Sequence, residues 1–265
     1  MKVDPGQYES LQGRVCIVTG GAERVGRVVA LHFAAQGADI VINHLDRSAS
    51  AERTRQAICA LGRGCAVVEA DIADPASAAA IVAAADKAFG RADVLVHNAS
   101  NFVTEPFGAV TPGAFDESMG VILRGPFFVT QALGNYMLRQ GWGKILAIAG
   151  NSVHETWPDH AAHSLAKNAL VRMMEIFAIG LSPVVQCYTV APHRIMPSSG
   201  GQDGAVSSRR GEDVAEPGQL VRVTPSTVVR QPTPEDVAHA LLMLTLCPPS
   251  VTGALVAVDG GRALL

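Results

Sequence analysis

Tyrosine is scarce in this sequence of 265 residues: there are three, and aromatic residues make up 5% of the chain. No apolar run reaches the roughly 18 residues that a membrane helix needs, so a transmembrane reading is excluded. The first residues, Met1 to Ser10, are polar and carry no apolar signal core, and a cytoplasmic location is expected. The five cysteines (Cys16, Cys59, Cys65, Cys187, Cys247) are odd in number, widely spaced and form no C-x-x-C pair. That pattern argues against a disulfide framework and against a zinc site. Neither sign of charge dominates: 21 basic and 24 acidic side chains leave a net charge of −3 with no cluster. Nucleic acid and anionic lipid are therefore not expected partners, and a small molecule is.

What the chain does have is alternation. Arg14–Thr19, Ala38–Asn43, Ala66–Glu69, Val94–His97, Lys144–Ala149, Val184–Val190 and Leu255–Val258 are short apolar runs, separated by stretches of helical period. Near-continuous hydrophobicity in the strands implies a parallel sheet covered on both faces, about seven strands in a single α/β domain over residues 1–265. Asp74-Pro75 and Thr233-Pro234-Glu235-Asp236 have helix-start chemistry. The segment Pro197–Pro232, rich in glycine and serine, is the outlier. A loop of that length reads as a substrate lid or a disordered stretch.

Three strand ends carry small polar groups. Thr19-Gly20-Gly21-Ala22-Glu23-Arg24-Val25-Gly26 forms the first strand-to-helix turn, where backbone N–H groups and the helix dipole favour a pyrophosphate. Asp71-Ile72 follows the third strand and suits an adenine amino group, and Asn98-Ala99-Ser100 follows the fourth. Such sheets bind ligands at these ends.

These motifs resemble the short-chain dehydrogenases/reductases nearly end to end. The resemblance implies a doubly wound Rossmann-type fold and a nicotinamide dinucleotide. The family's T-G-x-x-x-G-x-G has Arg24 in place of its middle glycine here. That variant, with His97-Asn98-Ala99-Ser100, Pro158-Asp159 and Val258-Asp259-Gly260-Gly261-Arg262, resembles the pteridine-reductase-like branch. The end of the second strand, Asn43-His44-Leu45-Asp46-Arg47-Ser48, offers Arg47 and Ser48 to a 2′-phosphate and favours NADP(H) over NAD(H), with Asp46 as the opposing sign. By the same resemblance a homotetramer or homodimer is expected, built on the helices over Phe107–Gln140 and Pro158–Leu181.

The family's proton donor is absent. Its signature is Y-x-x-x-K, and no tyrosine here has a lysine four residues on; at the matching place stand His163 and Lys167. Gly150 occupies the position of the family's serine or aspartate, with Ser152 two residues out of register, and Ile122 that of its helix asparagine. The P-G after the sixth strand has become Pro192-His193. Lys167 is expected to hold the nicotinamide ribose, with His163 or His193 supplying a polar contact. His163 reads either as a neutral donor to a carbonyl or as a pocket residue released from catalytic constraint. Two functions stay open: a carbonyl or pteridine-type reductase with a non-standard site, or an inactive or non-redox homologue acting as scaffold, partner subunit, nucleotide sensor or cyclase-like enzyme.

Overall fold

Every strand that the apolar runs predict is present, and all seven join one parallel sheet. A computed structural model describes residues 10–102, 104–193, 195, 217–224 and 227–264. The sheet takes the order β3-β2-β1-β4-β5-β6-β9, from β1 (Val15–Val18), β2 (Asp39–His44), β3 (Cys65–Glu69), β4 (Val94–His97), β5 (Gly143–Ile148), β6 (Val185–Pro192) and β9 (Leu255–Val258). Strand order reverses between β1 and β4, and the connections leave to opposite faces there. The crevice this opens at the carboxyl ends is where such sheets take ligands.

Period-2 alternation divides the core. Cys16 and Val18 of β1 pack with Val29 and Phe33 of α1 (Arg24–Ala35), Ile58 of α2 (Ser48–Ala60), and Val237 and Leu241 of α7 (Pro234–Thr245). Val15 and Ile17 face the other layer: Ile81 of α3 (Ser77–Phe89), Leu133 and Met137 of α5 (Gly125–Gln140), and Leu170 and Met174 of α6 (Ala161–Gly180). Each such side chain, removed from water, contributes about 1.5–3 kcal/mol.

The two helix starts read from the sequence divide. At Thr233 the expectation holds: its hydroxyl accepts from the Asp236 N–H (3.2 Å), and Asp236 accepts from the Thr233 N–H (2.8 Å), a reciprocal cap. At Asp74 the carboxylate instead accepts from the Ala76 N–H (2.9 Å), closing a turn ahead of α3, which starts at Ser77.

Two features were not foreseen. Between α4 (Pro112–Met119) and α5, residues Gly120–Arg124 form a π-turn. Of the segment 197–232, residues 197–216 lie outside the described residues, but its later part is an antiparallel hairpin, β7 (Leu220–Thr224) with β8 (Thr227–Arg230). Residues 220–224 and 227–230 are therefore strand rather than loop, because β-branched Val and Thr dominate both runs, while residues 225–226 lie outside the described residues. Among the described residues no helix is long and apolar enough to cross a membrane.

Candidate active site and nucleotide pocket

The glycine turn is built around Asn98. Its side-chain amide donates to the Thr19 carbonyl (2.8 Å) and the Gly20 carbonyl (3.0 Å), while the Thr19 hydroxyl accepts from the N–H groups of Asn98 (3.0 Å) and Ala99 (3.1 Å). This stitches β1 to β4 at the point where the sheet order reverses. Gly26 lies in the first turn of α1, and a Cβ there would press into the Gly20 carbonyl and the Asn98 amide. Arg24 takes φ +50°, a left-handed backbone that glycine adopts most readily. No side chain caps the N-terminus of α1, where Glu23 is the capping position, so its first N–H groups are available to an anion. The residues fit a pyrophosphate.

At the end of β2, Asn43 and His44 are buried. The Asn43 amide donates to the Ala70 carbonyl (2.9 Å), and His44 Nδ1 accepts from the Arg47 N–H (3.3 Å). Arg47 is brought beside the glycine turn and lies 3.6 Å from the Glu23 carboxylate. Glu23 also accepts from Ser50, whose hydroxyl in turn accepts from Arg53 (2.6 Å). Ser48 turns toward Glu69 (3.3 Å). Asp71 is exposed and its carboxylate accepts from the Ala73 N–H (2.9 Å), while Ile72 is buried.

His163 and Lys167 stand on the first turns of α6, both nearly inaccessible. Lys167 Nζ donates to the Ile148 carbonyl at the end of β5 (2.8 Å), and burial lowers its pKa to about 7. His163 Nδ1 is 3.0 Å from the Asn101 carbonyl oxygen. Burial, then the charge of Lys167, lower the His163 pKa to about 3. The same two causes act on His97, at the end of β4, whose Nε2 is 2.7 Å from the Thr130 hydroxyl and whose pKa falls to about 3. Three ionisable groups thus share one dry region, and it disfavours charge on each.

The positions flanking them combine an unusual backbone with buried side chains. Gly150 lies at φ 144°, ψ 167°, a conformation essentially confined to glycine. Ser152 is buried with an unpartnered hydroxyl, and Ile122 is buried at the centre of the π-turn. π-turns recur at functional sites because they swing one residue out of helical register. Pro192 pairs with Val258, and the His193 N–H donates to the Val258 carbonyl (3.2 Å), which places both where β6 meets β9.

Several residues here carry no sequence signal of their own. Phe102 packs on His160 (ring centroids 4.3 Å apart), His163 (4.9 Å) and Trp157 (6.5 Å), an aromatic wall along the cleft. Glu155 accepts from Asn151 (2.7 Å), the Trp157 indole (2.9 Å) and Arg262 (3.2 Å). His97 was legible only as part of a motif, not as a group beneath Lys167. Among the described residues no three His, Cys, Asp or Glu side chains converge on a point that would hold a metal ion.

Known proteins share this frame. A family model described as enoyl-(acyl carrier protein) reductase matches residues 20–263. An L-rhamnose 1-dehydrogenase (NAD(P)(+)) of Sphingomonas sp. (strain SKA58) is 31% identical over 254 residues, covering 95% of this chain and 96% of that protein. Among solved structures, an acetoin dehydrogenase of Salmonella typhimurium has a TM-score of 0.79 and 27% identity, covering 95% of this chain and 96% of that one. A dehydrogenase/reductase of Sinorhizobium meliloti 1021 has a TM-score of 0.80 and 25% identity, covering 96% and 97%.

Proposed function

The chain belongs to the short-chain dehydrogenase/reductase superfamily, and on that premise we propose that it is an NADP(H)-binding oxidoreductase of the carbonyl–alcohol interconverting kind, with its proton-handling site rebuilt around His163 and Lys167. The observation that carries this reading is the turn at Asn98: the hydrogen bonds to Thr19 and Gly20, the lack of room at Gly26 and the uncapped α1 are all what a dinucleotide pyrophosphate requires. Gly20, Glu23, Arg24, Val25 and Gly26 would line that pyrophosphate, with Arg47 and Ser48 toward a 2′-phosphate and Asp71 and Ile72 toward the adenine. Asn98, Ala99, Ser100, Lys167 and Pro192 would border the nicotinamide end. A bound nicotinamide supplies or receives hydride; the protein's share is to exclude water and orient the substrate. Buried His97 and Ile122 and the wall of Phe102 and Trp157 support that role.

The NAD(P)(+)-using rhamnose dehydrogenase supports a hydroxyl or carbonyl substrate and is consistent with NADP(H). We extend the proposal to assembly: exposed Phe127, Ile176 and Ile179 on α5 and α6 support a homodimer or homotetramer built on those helices. A second reading, a non-redox homologue serving as sensor or scaffold, is favoured by one observation, that His163 and Lys167 are each tied to a backbone carbonyl. Titration of the purified chain with NADPH and NADH, followed by a carbonyl and alcohol panel read by nicotinamide absorbance, separates the two. Binding without turnover on any substrate would favour the second.

A further inference from the structure

A carbonyl oxygen only accepts hydrogen bonds, so the 3.0 Å contact between His163 Nδ1 and the Asn101 carbonyl requires hydrogen on Nδ1. The ring is neutral at ordinary pH, since burial and Lys167 oppose imidazolium. Its second nitrogen, Nε2, therefore carries a lone pair and no proton. Imidazole geometry points Nε2 away from Asn101, and among the described residues it has no hydrogen-bond partner. A hydroxyl at this position would both give and take; this imidazole only takes. The neutral-donor role expected of His163 from sequence does not fit this tautomer.

Polar atoms on the two strand ends that meet α6 sharpen the chemistry. Both ends of the Asn101 amide, the Ser152 hydroxyl and the Asn151 side-chain oxygen are buried without a partner. Asn101 follows β4, and Asn151 and Ser152 follow β5, the adjacent strand. Asn168 of α6 donates to the Ser152 carbonyl (3.2 Å), which holds that turn against the helix that carries His163. An unpartnered buried polar group is costly, and a ligand rich in hydroxyl groups would satisfy several at once.

We infer that the cleft takes an alcohol carrying a further hydroxyl, with His163 Nε2 accepting a hydrogen bond from one hydroxyl and the Asn101 amide and Ser152 hydroxyl engaging the other. The inference deepens the oxidoreductase reading by assigning its ligand class, and it rests on that reading for the place where the ligand lies.

The test uses the full chain with ¹⁵N-labelled histidine, the His163 signals being assigned by their loss in His163→Gln. Long-range ¹H–¹⁵N spectra at neutral pH are expected to show hydrogen on Nδ1; hydrogen on Nε2 overturns the inference. Propane-1,2-diol, propan-2-ol and acetone are then added with NADP⁺ present and absent. The Nε2 resonance is expected to move with both alcohols and not with acetone, and the diol to bind about fivefold more tightly than propan-2-ol, the worth of about one net hydrogen bond. Ser152→Ala is expected to remove that preference. An equal response to acetone, or no diol advantage in the wild-type chain, overturns the inference. Calorimetry with NADP⁺ alone reports separately on the dinucleotide site, so its failure sinks the oxidoreductase reading while the tautomer still decides this one.

Discussion

Glu23 and Arg47 face each other at 3.6 Å across the mouth of the glycine turn. The guanidinium expected to meet a 2′-phosphate is thus already offered a carboxylate, and the phosphate must displace it. NADPH is still expected to raise the melting temperature more than NADH. Glu23→Gln should then tighten NADPH by up to about fivefold, because an exposed ion pair is worth about 0.2–1 kcal/mol. NADH, which shares only the pyrophosphate beside Glu23, should gain less. Calorimetric titration of both cofactors checks this, and a gain shared equally by NADH would remove Arg47 from phosphate recognition.

Acid should weaken the fold through two buried imidazoles. His97 and His163 are each held to a pKa of about 3 by burial and then by Lys167, against about 6.5 in the unfolded chain. Between these values the unfolded state binds protons that the folded state refuses, so stability rises with pH across that window and is lost as pH falls through it. At pH 5 the cost is about 2 kcal/mol per histidine. Denaturant melts at pH 7.5 and pH 5 should show it, and His163→Gln should remove roughly half of the difference. A variant with the wild-type pH dependence would refute the assignment for His163.

Gly26→Ala places a methyl group against the Gly20 carbonyl and the Asn98 amide. Both belong to the link between β1 and β4, so backbone must shift. Loss of dinucleotide binding by more than tenfold is expected, with destabilisation of about 1–3 kcal/mol, typical of overpacking. Unchanged NADPH affinity in a folded Gly26→Ala protein would place the pyrophosphate elsewhere.

Reintroducing the family's residues should not simply restore its chemistry. The unmodified protein is expected to reduce simple ketones slowly, by the roughly 10²–10⁴-fold that a positioned acid supplies. His163→Tyr alone should recover little. Gly150→Ser forces a side chain onto φ 144°, ψ 167° and should cost about 1–3 kcal/mol. A Tm lower by several degrees would register it, at about 2–4 °C per kcal/mol for a chain of this size. If Gly150→Ser melts with the wild type, the backbone there is not glycine-dependent.

The parallel sheet was legible because its strands are buried on both faces and read as unbroken apolar runs, and the glycine turn because its position after β1 is itself informative. The site was legible only as a set of absences. Ser152 and Asn101 carry no motif, and their meaning lies in hydrogen bonds they do not make. The β7–β8 hairpin was hidden because glycine and serine dominate the segment as a whole, while the strands are short. The π-turn at Gly120–Arg124 leaves no period to detect, since one added residue in a helix shifts the pattern without erasing it.

Asp259, near the end of the chain, accepts from the N–H groups of Gly261 (2.9 Å) and Ala263 (2.7 Å), which fixes the turn that presents Arg262 to Glu155. Glu155 in turn holds Asn151 and the Trp157 indole. The last residues are therefore two bonds removed from the aromatic side of the cleft. The practical meaning is that a change at Asp259 or Arg262 is felt at Trp157, although neither residue touches that ring.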